Sequence, residues 1–97
     1  MEKTRREIEC LVRLNDLQDS YSMILEFLIS EALISSAEVK AMRASSEIAK
    51  KLQLHLAQAS AEGKLQLLSY EWTILPVERV RILIVTNRAS KEFSFNF

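Results

Sequence analysis

The sequence predicts an α+β domain, with three to four N-terminal helices followed by a C-terminal antiparallel meander of two to three strands. Two observations carry this expectation. The apolar residues recur with a helical period up to Gly63, the only glycine of the 97 residues, and with a period of two beyond it. The residues after Gly63 also turn β-branched and aromatic, in runs broken at Pro76 and at Asn87 to Lys91. The whole chain reads as one domain: an N-terminal helix over 1–18, a helical core over 20–63 and a β meander over 65–97.

Thr4 and Glu7 stand at capping-box spacing, in which a Thr side chain and a Glu three residues on satisfy each other's backbone N–H groups, so the first helix is expected to start near Thr4. Ile8, Leu11, Val12 and Asn15 mark one face of it, and Cys10, Leu14 and Leu17 an adjacent one. A surface this wide must be covered by the body or by a second copy. Asp19, Ser20 and Ser22 signal a break, after which Met23 to Ile34 is apolar almost all round, as a central helix should be. Ser35 and Glu38 form a second capping box and start a third helix, which runs either to Arg43 or through to Glu62.

Within that stretch, Ile48, Leu52, His55 and Ala59, with Leu56 beside them, are expected to face the core. Ser46, Lys50, Gln53, Ala57 and Ser60 are expected to face outward. Gly63 suits the left-handed residue that closes a helix. In the meander, Leu68, Tyr70, Trp72 and Ile74 share a face. Val80, Ile82 and Ile84 share another, opposite Arg79, Arg81, Leu83 and Val85, and Phe93, Phe95 and Phe97 share a third.

Composition narrows the function classes. Net charge is zero, with four bases against seven acids in residues 1–36 and nine against six in residues 37–97. The basic excess of the second part permits an anionic partner but falls short of a nucleic-acid binder's usual footprint. A single cysteine, Cys10, cannot form an intramolecular disulfide, which points to a reducing, cytoplasmic setting. No window approaches the roughly 20 apolar residues of a membrane span, and the basic N-terminus lacks an uninterrupted apolar run. With one histidine and one glycine the sequence offers no metal cluster, nucleophilic triad or phosphate-cradling loop, so no cofactor, no metal and no enzymatic activity are expected.

The order of a central apolar helix, a short capped helix Glu38 to Ala44, a break at Ser45-Ser46, a helix Glu47 to Glu62, then Gly63-Lys64-Leu65 leading into a hairpin resembles the winged helix-turn-helix superfamily. The resemblance covers roughly Ser20 to Thr86 and rests on the order of elements. It implies a small, dimeric, DNA-binding transcriptional regulator with Glu47 to Glu62 as recognition helix. Ser46, Lys50 and Gln53 would then face bases, and Arg43, Lys51, Lys64, Arg79 and Arg81 would hold phosphates of double-stranded DNA. The chain departs from the pattern in lacking a glycine before the recognition helix, in its short turn from Pro76 to Arg79, which contains the acidic Glu78, and in its few bases. A second function class fits the same residues: a protein-interaction or assembly module that self-associates through its helices or through the edge of the last strand, should Phe95 and Phe97 be exposed.

Overall fold

The change of period at Gly63 is the change from helix to sheet. The computed structural model of the chain describes residues 2–17 and 20–97, with side chains from Arg5 onward in the first helix. Four helices, α1 (Glu2–Arg13), α2 (Ser20–Ser30), α3 (Ser36–Arg43) and α4 (Ile48–Ala61), precede three strands, β1 (Leu65–Thr73), β2 (Arg79–Thr86) and β3 (Ser90–Asn96). A 3-10 turn, Leu14–Asp16, follows α1. The strands form an antiparallel sheet in the order β1-β2-β3.

The helix boundaries follow local chemistry, and two differ from expectation. α1 starts at Glu2, so Thr4 lies inside the helix and not at its cap. Of the predicted break, Asp19 lies outside the described residues, while Ser20 opens α2 and donates its hydroxyl to the Leu14 and Leu17 carbonyls at 2.5 and 3.1 Å. α2 ends at Ser30, four residues before its apolar run does, because Ala32 takes a left-handed φ of 58° and the Leu33 N–H reaches back to the Leu28 carbonyl. That reversal sends Ile34 back into the core. The same closure recurs where α4 ends, with Gly63 at φ 76° and the Lys64 N–H on the Ala59 carbonyl.

The predicted capping box at Ser35 forms in full: its hydroxyl accepts from the Glu38 N–H at 3.1 Å, and its own N–H donates to Glu38 Oε1 at 3.0 Å. Residues 35–62 are two helices. Between them the Ser45 hydroxyl accepts the Glu47 N–H, which offers the backbone a turn in place of helical bonding.

The sheet's inner face carries Leu68, Tyr70 and Trp72 from β1, Val80, Ile82 and Ile84 from β2, and Phe93, Phe95 and Phe97. A shift of register between Leu65 and Leu67 inserts one extra residue, which turns both Leu65 and Leu68 inward. Under this face lie Leu11 and Leu14, then Ile24, Leu25 and Leu28, then Met42, Leu52 and Leu56, each exposed by 2% or less. Burying one such side chain contributes about 1.5–3 kcal/mol. Val12, on one of the two apolar faces expected of α1, is 49% exposed. Ile74 lies past the end of β1 and is 61% exposed.

The two helix ends predict opposite responses to one methyl group. An L-residue in the left-handed region costs about 1 kcal/mol relative to glycine. Ala32→Gly should therefore raise, and Gly63→Ala lower, the urea unfolding free energy by about that amount.

Candidate functional site

The outward face of α4 is where sequence reasoning places a reader of DNA, and the helix is rotated from that expectation. Its buried residues are Ala49, Leu52, Gln53, Leu56 and Ala59, while Ile48 and His55 are only half-buried and Leu54 is 68% exposed. Gln53 therefore points inward, 8% exposed, and cannot reach a base edge. Its burial is possible because both ends of the amide are satisfied. Nε2 donates to Glu7 Oε2 at 2.6 Å, and Oε1 accepts the Tyr70 hydroxyl at 2.9 Å.

The cations assigned to phosphates are engaged or dispersed. Lys50 lies 3.5 Å from Glu47, Lys64 3.0 Å from Glu62, and Arg43 donates to the Ser22 hydroxyl at 2.8 Å. Arg81 is held between Glu71 of β1 and Glu92 of β3, which keeps its guanidinium firmly protonated. Arg79 and Arg81 alternate with the buried Val80 and Ile82, so they project from the sheet face opposite the helices. They point away from the layer that holds α4. Ser46, Lys50 and Lys51 are exposed at the start of α4.

A different surface is concave. β1 is an edge strand, and beside its free edge α1 raises a wall, leaving a groove of about 680 Å³ lined by Arg6, Glu7, Glu9 and Cys10 on one side and by Leu67–Trp72 and Ile74 on the other. Polar ties fix the wall near each end of the groove. Toward the start of α1 the Glu7–Gln53–Tyr70 chain joins α1, α4 and β1. At the far end the Arg13 guanidinium forks onto both oxygens of Glu78, in the β1–β2 turn, with Nη2 to Oε2 at 2.8 Å. Glu78 also accepts the Trp72 indole N–H at 3.3 Å, and its carbonyl accepts the Phe97 N–H at 3.0 Å. Arg13 stacks 4.0 Å from the Phe97 ring centre and pairs with Asp16. Phe95 and Phe97 are thus half-buried against the core, and the exposed aromatic edge considered for β3 does not form.

The groove lining carries the carboxylates of Glu7, Glu9 and Glu71 and the guanidinium of Arg6. Burial pushes the Cys10 thiol up to about 11, with the nearby Glu9 and Glu7 charges adding to the effect. Burial likewise raises the Tyr70 phenol, again with a contribution from Glu7. Cys10 is 4% exposed, so it forms part of the apolar floor and is not a reactive thiol.

A second, shallower depression of about 540 Å³ gathers His55, Glu38, Glu62 and Lys64. His55 Nδ1 lies 3.4 Å from Glu38 Oε2, a pairing the sequence did not reveal. Glu38 is committed to its cap: the Ser35 backbone N–H and hydroxyl hold its carboxyl below the ordinary range, so it orients His55 and is a poor base. Among the described residues no group of three or more His, Cys, Asp or Glu side chains is placed to hold a metal ion. No helix there is long and apolar enough to cross a membrane.

Comparison with protein families, with curated proteins and with solved structures finds no match to this chain.

Two outcomes follow. Gln53→Ala should lower the unfolding free energy by about 1–3 kcal/mol, because Tyr70 and Glu7 lose their partner, whereas Lys50→Ala should stay within about 0.5 kcal/mol; urea titrations compare them. The Arg13 hydrogen bonds, aided by Trp72, hold the Glu78 carboxyl below its ordinary 4.5. A lowered folded-state pKa contributes stability that is present above the unfolded value and lost as pH falls through the folded one. Thermal unfolding of the parent chain should thus drop in temperature below pH 4.5. Glu78→Gln should start lower at neutral pH and fall less steeply, keeping the share due to Glu38 and Glu62.

Proposed function

We propose that this chain is a non-enzymatic protein-interaction module that receives an extended segment of a partner along the free edge of β1. The observation that carries this reading is the groove itself: an unpaired strand edge forms one wall, and an anchored helix forms the other. A segment entering there satisfies the open backbone groups of the edge and covers apolar side chains at once. The two edges of the sheet differ in protection. β3 carries Lys91 and Glu92 in seven residues, charges of the kind that deter strand pairing, whereas β1 carries only Glu71 in nine. Leu67 and Ile74, 50% and 61% exposed along the groove, supply apolar surface for an incoming chain.

The DNA-binding reading keeps Ser46, Lys50, Lys51 and Arg43 as exposed groups about the α3–α4 junction, but has lost Gln53 and the two strand arginines from that face. One pair of measurements separates the readings. A random-peptide selection against the purified chain should enrich extended, alternating sequences whose binding is abolished by backbone N-methylation at every second residue. Enriched peptides insensitive to N-methylation, or no enrichment, would overturn strand addition. Titration of labelled random duplex DNA at low salt should give no binding, while a steeply salt-dependent affinity would favour the regulator.

A further inference from the structure

Resting on the strand-addition reading, we infer that the segment the β1 groove accepts alternates apolar with basic side chains, and that it belongs to a partner protein and not to a second copy of this chain. The alternation follows from the two environments flanking the edge. On the helix side a new strand would lie beside Leu68, Tyr70 and Trp72, with Cys10 of α1 beneath and the Glu7 carboxylate engaged by Gln53. Apolar side chains at every second position fill that side. On the solvent side the neighbours are Leu67, Ser69 and Glu71, while Arg6, Glu7 and Glu9 stand on the α1 wall.

Among the described residues, the groove lining carries three carboxylates, Glu7, Glu9 and Glu71, against one base, Arg6. Glu71 shares Arg81 with Glu92, so one guanidinium serves two acids. Glu9 is offset by Arg5 at 3.4 Å, and Glu7 is bonded to a neutral amide. Behind burial, Glu9 and Glu7 add to the rise of the Cys10 thiol, and Glu7 to that of the Tyr70 phenol. Side chains standing out from the added strand beside Glu71 are therefore favoured when basic and penalised when acidic.

The same charges argue against self-pairing. In a two-fold antiparallel pairing of β1 with its copy, both Glu71 carboxylates stand on the same face of the joined sheet, where salt screens them only beyond a Debye length of about 8 Å. Like charges opposed across strands are destabilising. A basic partner removes that repulsion.

Fluorescence anisotropy tests the inference with three end-blocked, fluorescein-labelled octapeptides: alternating Lys-Val, alternating Glu-Val, and Lys-Val with every backbone amide N-methylated, so that whichever amides face β1 are blocked. The lysine peptide should bind at least about tenfold more tightly than the glutamate peptide, and the preference should shrink as salt is raised. Glu71→Lys, on an exposed strand position and checked for folding by circular dichroism, should weaken the lysine peptide and strengthen the glutamate one. The N-methylated peptide should not bind. Equal binding of both charge types overturns the basic preference and leaves strand addition standing. Failure of every peptide to bind, or lysine-peptide binding unaffected by N-methylation, overturns strand addition itself. Sedimentation showing a dimer that the lysine peptide dissociates would make the second copy the occupant and overturn the inference.

Discussion

The fork of Arg13 onto Glu78 joins parts of the chain 65 residues apart, and the geometry of the groove depends on it. The carboxylate of Glu78 serves α1 through Arg13 and the sheet through Trp72, while its backbone carbonyl holds the C-terminal residue. Arg13 in turn lies over Phe97, so the cation's alkyl stem and plane cover the last aromatic ring of the inner face. Glu7 stands six residues before Arg13 in the same helix, about 9 Å along its axis, and ties to β1 through Gln53 and Tyr70. Polar ties at two points along the wall hold α1 at a fixed distance from the strand. A site arranged before its ligand arrives has less conformational freedom left to lose on binding.

How much of this was legible depended on the range of each interaction. Capping chemistry acts over three residues, so Ser35 and Glu38 announced α3 correctly, and Gly63 marked its helix end. Period-two alternation is equally local, and the inward sets of all three strands follow it, apart from Ile74 beyond the end of β1. Ala32 gave no signal, because a left-handed alanine is held by the packing of Leu33 and Ile34 and not by its own preference. Thr4 gave a false one: its pattern matched a cap, but the helix extends past it.

The site was harder to read than the fold, for the same reason. Gln53 looks outward on a helical wheel since a lone amide among lysines is ordinarily solvated. Only partners 46 residues before it and 17 after it make burial affordable. Glu78 stood out in the sequence as an acidic intruder in a short turn, and that oddity was the available clue to its role. The groove combines an edge strand and a helix from opposite ends of the chain, and no periodicity reports such a juxtaposition. An α+β fold of this kind does not fix a function. What distinguishes this one is an edge left open on the strand with the fewest charges, next to a wall that is fastened down.

Amide hydrogen exchange of the chain with and without the alternating Lys-Val peptide tests strand addition most directly. Added protection confined to alternate amides of residues 66–73, with smaller changes at residues 6–10 of α1, is the predicted result. Protection centred on α3 and α4, or spread evenly with no alternation in β1, would contradict it.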